Sequence, residues 1–314
     1  MKRQALAAAF AGLVVLGIVA TLPPSPAATG GDPIRGAHPE YGPAAIDAVP
    51  NEAAIGARLW VPGLDDWYSP QGLALVGQNI FVSAYRSDAS RVTRGPCRVF
   101  RIDPASGAET GHFDVPSPCG HAGGLASAGN GKLYIADTHT LFATDLAGAF
   151  EGRPPRFHVI PLGPGVTGGL AASGADAIWL GTYREDGPGR LYRFPTAALD
   201  RITEGAALNA EDATAALAIP SQAQGAAIDR AGGRLWVARS DLRWGELDRL
   251  DPASGRVERE YKVPPGIEGI AFDGNGRLWA VSEAGARHFY DQSWMSLIMP
   301  FYPLVFAIGP ARLE

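Results

Sequence analysis

Cysteine and methionine are scarce, with two and three in 314 residues. So few cysteines exclude a multi-thiolate metal framework and leave a single pair, Cys97 and Cys119. The usual catalytic signatures are missing too. There is no Gly-x-Ser-x-Gly elbow, His-Glu-x-x-His helix, phosphate loop or Cys-x-x-Cys pair, so neither elbow-type serine chemistry nor structural zinc is supported. Charge is thin, at 19% of residues. Setting aside Lys2 and Arg3 takes the formal net charge from −5 to −7 and leaves no basic cluster, which argues against nucleic acid or an anionic membrane surface as partner. An uncharged, mostly apolar run, Ala5 to Leu22, stands near the N-terminus between Lys2-Arg3 and Pro23-Pro24-Ser25-Pro26-Ala27-Ala28. Residues 1–28 therefore read as a secretory signal peptide cleaved near Ala27 or Ala28, with an uncleaved N-terminal membrane anchor as the alternative. Both place the folded part in a secreted or periplasmic setting, where membrane contact runs only through that segment and a Cys97–Cys119 disulfide is expected.

What is abundant is turn chemistry: forty glycines and 26 prolines. Residues 29–56 are Gly-, Pro- and Ala-rich without a period and read as a linker. From residue 57 to 314 a five-fold echo takes over. Gly72-Leu73-Ala74, Gly124-Leu125-Ala126, Gly169-Leu170-Ala171, Gly225-Ala226-Ala227 and Gly269-Ile270-Ala271 are each followed, about ten residues on, by an apolar run with an aromatic centre. Those runs are Ile80-Phe81-Val82, Leu133-Tyr134-Ile135, Ile178-Trp179-Leu180, Leu235-Trp236-Val237 and Leu278-Trp279-Ala280. Short strands repeating at roughly 45–55 residues spell an all-β fold, a β-propeller in one domain. Fourth strands end in Val115-Pro116, Ile160-Pro161, Ile219-Pro220 and Val263-Pro264, as suits an edge strand. The fifth repeat lacks a fourth strand, and Arg58-Leu59-Trp60-Val61-Pro62 supplies the missing ending. The N-terminal strand is thus expected to complete the last blade and close the ring, with five blades favoured over six.

In such a blade the turns joining strands one to two and three to four share one face. Here they are mostly short and built from standard turn residues such as Gly, Asn, Asp and Pro, which suits a structural face. The opposite face carries the polar residues and is the candidate binding mouth. Gln71, His121, Gln224 and Glu268 lead into first strands. Tyr85, Arg86, Asp137, His139, Tyr183, Arg184, Arg239, Asp241 and Glu283 end second strands. Gln71, Tyr85, Arg86, Tyr183, Arg184, Gln224, Arg239 and Asp241 form the candidate ligand-binding set, with the arginines suited to an anionic group. His121 and His139 with Asp137 could make a base and its orienter for activating water. The long loop Ala284–Pro303, rich in aromatics, reads equally as a lid over the channel or as padding on blade five. Cys97 and Cys119 fall on the same face, where their bond would fix the segment presenting His121.

The segment Ile267-Glu268-Gly269-Ile270-Ala271-Phe272-Asp273-Gly274-Asn275-Gly276-Arg277-Leu278-Trp279 resembles the blade repeats of gluconolactonase/senescence-marker, strictosidine-synthase-like and NHL propellers. The resemblance implies a divalent-metal ligand at Glu268; calcium as the cofactor would need further oxygens there, from Asp137, Asp241, Glu283 or backbone carbonyls. Paraoxonase-type calcium-dependent lactonases are similar in using paired histidines on a propeller. Two functions remain in view. One is capture of a small polar or anionic molecule, or a peptide, at the mouth by a monomeric protein. The other is a metal-assisted lactonase or esterase using His121, His139 and Asp137.

Overall fold

Apolar runs centred on an aromatic residue become strands because β-branched and aromatic side chains fit a pleated surface packed on both sides. A computed structural model of the chain describes residues 33–42, 48–88, 95–240, 243–292 and 300–314. Strand β1 (Ile55–Trp60) comes first. Blade one follows, with β2 (Tyr68–Val76), β3 (Asn79–Arg86), β4 (Cys97–Ile102) and β5 (Glu109–Val115). Blade two is β6 (Gly124–Ala126), β7 (Lys132–Asp137), β8 (Thr140–Asp145) and β9 (Phe157–Pro161). Blade three is β10 (Leu170–Ser173), β11 (Ala177–Gly181), β12 (Gly189–Pro195) and β13 (Ala215–Ile219). Blade four is β14 (Ala223–Asp229), β15 (Arg234–Ser240), β16 (Gly245–Leu250) and β17 (Val257–Val263).

Blade five is assembled from both ends of this span. Its sheet order is β18 (Ile267–Phe272), β19 (Leu278–Ser282), β20 (Leu304–Ile308) and then β1, antiparallel throughout. Leu59 faces Val305 and Trp60 faces Leu304. The chain is therefore a five-bladed propeller closed by its N-terminal strand, as the unmatched Leu59-Trp60 ending required.

The core lies in the five seams between neighbouring blades. Along a strand, successive side chains enter opposite seams. Leu133 and Ile135 pack toward Phe81 and Val99 of blade one, while Tyr134 and Ala136 pack toward Ile178 and Phe194 of blade three. On β1, Leu59 joins Leu73 and Val82 in the seam with blade one, whereas Trp60 joins Trp236 and Leu247 in the seam with blade four. Outer strands need only one apolar face, and β17 accordingly alternates toward exposed Glu and Arg.

At the axis the first strands crowd so closely that a Cβ has no room. One built on Gly124 would lie 2.2 Å from the Ala171 nitrogen, and one on Gly269 would lie 2.3 Å from the Leu73 nitrogen. That crowding is the physical content of the repeated glycine.

Part of the stretch read as a linker packs onto the propeller. Arg35 bridges Leu59 in parallel, His38 meets Trp60 edge-on at 4.7 Å, and Tyr41 donates its hydroxyl to the Gly285 carbonyl at 3.0 Å. These contacts meet the long loop of blade five, where Tyr290, Phe301 and buried Tyr302 pack against Tyr41 and Phe306. That part of the loop pads blade five. Trp294 and Met295, like residues 1–28, read above as a signal segment, lie outside the described residues.

Candidate functional site at the channel mouth

Three of the five innermost hairpins break register at the same place. Bulges fall between Pro70 and Leu73, between Ala223 and Gly225, and between Ile267 and Ile270. A bulge re-aims the residue it carries, and the residues carried are Gln71, Gln224 and Glu268. Gln71 donates through Nε2 to the Pro70 carbonyl at 2.9 Å and to Glu283 Oε2 at 2.7 Å. Glu283 stands just after β19, beside Glu268. Glu268 is 1% exposed and its Oε1 has no hydrogen-bond partner. Burial, reinforced by the negative charge of Glu283, pushes the Glu268 carboxyl well above the usual carboxylate range. Tyr183, 44% exposed, stands close enough to Glu268 for that charge to contribute to raising its phenol pKa, after burial and Glu185.

A second polar group lies alongside, on blade one and the loop of blade five. The short helix α1 (Arg287–Tyr290) brings in His288, 3% exposed, whose Nδ1 lies 3.1 Å from Oγ of fully buried Ser69. Burial lowers the His288 pKa to about 4, so the ring is neutral near pH 7. Its Nε2 has no partner. Tyr85 sits between two imidazoles, 5.6 Å from His121 and 6.2 Å from His288. Sequence reasoning passed over Ser69 and His288 as site residues. Ser69 lies two positions before Gln71 on the strand that supplies it, and that spacing was the only available signal.

The Asp137 carboxylate is committed to backbone. Its Oδ1 accepts from the amides of Gly120 at 3.2 Å, His121 at 2.6 Å and Ala122 at 3.0 Å. This nest holds the turn before β6, in which Ala122 takes a positive φ of 51°. Cys97 and Cys119 are disulfide-bonded with Cα atoms 5.9 Å apart, locking the same turn to β4. The two sulfurs and the Asp137 carboxylate lie within 4.8 Å of one another. Sulfurs bonded to each other are not thiolates, however, so the trio is no ready metal cage. His139 is exposed in the turn between β7 and β8. Replacing both cysteines by alanine is expected to cost about 3 kcal/mol in urea unfolding, from the loop of roughly 20 residues that the bond closes. A loss under about 1 kcal/mol would show that the Asp137 nest alone holds the turn.

The arginines are spread out rather than gathered. Arg239 donates to buried Asp248 at 2.7 Å and also pairs with Glu246 within blade four. Arg86 donates to the Asp66 carbonyl, and Arg184 is exposed on the loop whose carbonyl accepts from the Gln222 amide. Asp241 lies outside the described residues. Glu268 and Glu283 fall short of the six to eight oxygens that calcium takes, and Gln71 turns its amide nitrogen, not its oxygen, toward Glu283. At the opposite end of the axis a cavity of about 460 Å³ opens among the turns. Its carboxylates, Asp229 and Asp273, are occupied capping turn amides.

Solved structures with this fold include enzymes. Glutaminyl cyclase from Myxococcus xanthus superposes with a TM-score of 0.52 at 14% identity, over 81% of this chain and 94% of its own. The calcium-binding protein regucalcin from Agrobacterium tumefaciens gives 0.43 at 21% identity over 78% and 92%, and a luciferin-regenerating enzyme gives 0.43 at 12% over 79% and 93%. These likenesses concern the propeller fold. No protein-family model and no curated protein matches the sequence.

Proposed function

We propose that the protein captures a small polar molecule at this mouth, working outside the cytoplasm. The observation that carries the reading is Glu268. A buried polar atom without a partner costs about 1–3 kcal/mol, and Glu268 Oε1 bears that cost where the first strands converge. A ligand that hydrogen-bonds there recovers it. The neighbouring Gln71–Glu283 bond, Tyr183 and the His288–Ser69 pair supply a polar surround of fixed geometry. The disulfide and the apolar N-terminal run support the compartment. Among the described residues no helix is long and apolar enough to cross a membrane. The hydrolytic alternative has less behind it, because Asp137 serves three amides and His139 is exposed.

The test is a saturation-transfer NMR screen of small polar molecules and short peptides against the wild type and Glu268→Ala. Hits are expected to bind the wild type and to lose at least tenfold in affinity in the variant, with an unchanged circular dichroism spectrum. Hits indifferent to Glu268→Ala, or mapping to the cavity at the other end of the axis, would refute the assignment.

A further inference from the structure

We propose that the protein carries a self-modifying asparagine, Asn275, among the turns at the end of the axis away from the mouth. Two of those turns share nearly the same local sequence. Gly129-Asn130-Gly131-Lys132 leads into β7, and Gly274-Asn275-Gly276-Arg277 leads into β19. In both an asparagine precedes a glycine, whose backbone nitrogen, unshielded by a side chain, can be reached by the carboxamide carbon. Both asparagines are exposed, so water reaches both. Local sequence therefore assigns the two turns equal reactivity, and only the fold separates them. Asn130 is held at both ends of its carboxamide. Its Nδ2 donates to the hydroxyl of fully buried Tyr134 at 2.8 Å, and its Oδ1 accepts from the Lys132 amide at 3.3 Å. The Asn275 carboxamide has no hydrogen-bond partner among the described residues. The backbone resists a little there, since Gly276 donates its N–H to the Asp273 carbonyl, but at 3.2 Å that bond is at the long end of the range.

The chemistry needs no co-reactant but water. The Gly276 nitrogen attacks Asn275 Cγ, a C–N bond forms, and the Cγ–Nδ2 bond breaks as ammonia leaves with the glycine proton. The five-membered imide that results takes up water at one of its two carbonyls. Opening at the side-chain carbonyl gives aspartate at position 275; opening at the main-chain carbonyl gives isoaspartate, whose backbone runs through Cγ. Before the first bond forms, the carboxamide must swing onto the amide nitrogen. Asn130 breaks two hydrogen bonds to do so and Asn275 only the long one of Gly276. One net hydrogen bond makes Asn275 faster by about fivefold or more. The product puts a negative charge beside the Arg277–Asp273 pair, where Asn275 lines a cavity of about 600 Å³ between blades five and one. As isoaspartate it also lengthens the chain between the Asn275 and Arg277 amides, which Asp273 Oδ1 accepts together at 2.8 and 3.0 Å.

Each Asn-Gly pair lies in its own tryptic peptide, residues 102–132 and 263–277, so one sample reports both. The intact folded protein is incubated at mildly alkaline pH beside a parallel sample in urea. Mass spectrometry then follows the mass gain from amide to acid in each peptide. In urea equal rates are expected, because the local sequences match. In the folded protein Asn275 is expected to lead by about fivefold or more. Tyr134→Phe removes the hydroxyl that holds Asn130, and is expected to speed Asn130 while Asn275 keeps its native rate, which also shows that the variant is folded. Equal rates in the folded protein, a lead for Asn130, or conversion seen only in urea would each overturn the assignment. An Asn130 rate unmoved by Tyr134→Phe in a folded variant would overturn the restraint on which it rests. A variant that converts at the urea rate at both sites has unfolded, and the wild-type comparison then decides alone.

Discussion

Leu59→Asp is expected to open the propeller at the seam between blades five and one. Leu59 is fully buried on β1, and its side chain enters the layer formed with Leu73, Val82 and Ile102 of blade one and Val305 of blade five. A carboxylate there would sit among these apolar side chains and must be desolvated, for a cost of about 4 kcal/mol or more. In a domain of this size that corresponds to a melting temperature lower by about 10 °C. The pattern of damage matters as much as its size. Hydrogen exchange is expected to quicken first in β1, β20 and β2, while β10 to β13, on the far side of the ring, stay protected. Arg259→Ala on exposed β17 serves as the control and is expected to stay within about 0.5 kcal/mol of wild type. A Leu59→Asp protein that melts like the control would mean that β1 does not seal the ring.

Asp137→Ala is expected to cost about 3–5 kcal/mol in urea unfolding. One carboxylate oxygen accepts three backbone amides, from Gly120, His121 and Ala122. Hydrogen bonds to a charged group contribute about 1.5–3 kcal/mol each, and three sharing one oxygen fall short of additivity. Asp137→Asn keeps a carbonyl oxygen but not the charge, so it is expected to recover about half of the loss. The amide proton resonances of residues 120–122 report the same event locally, and their shifts are expected to follow the order Asp, Asn, Ala. A loss under about 1 kcal/mol for Asp137→Ala, with those three resonances in place, would return Asp137 to the list of groups free for chemistry.

The blades were legible because a propeller repeats one physical problem five times. Each first strand needs glycine where the axis is crowded, and each second strand needs an aromatic residue for the seam on one side and aliphatic neighbours for the seam on the other. The unmatched Leu59-Trp60 ending was legible for a related reason, since an edge with nothing beside it is a defect. The mouth was less readable. That Gln71 and Glu268 lead into first strands follows from the repeat, but the repeat says nothing about which carboxylate meets which donor. Asp137 reads as a polar strand end whether it serves an imidazole or three amides. Arg239 looks available until its cross-strand neighbour Glu246 and buried Asp248 are seen in register. Ser69 and His288 are 219 positions apart, and nothing local in either segment announces the other.

The shared fifth blade also sets the order in which this protein can become itself. Four blades are contiguous hairpins that can form as the chain is laid down. The last sheet must wait for β20 to find β1, a loop of roughly 250 residues whose closure costs about 5 kcal/mol of entropy. Until that pairing, the apolar flanks of blades one and four face outward with nothing against them. The vulnerable species is then a nearly finished crescent, sticky at both tips, and its lifetime is set by how fast two distant segments meet.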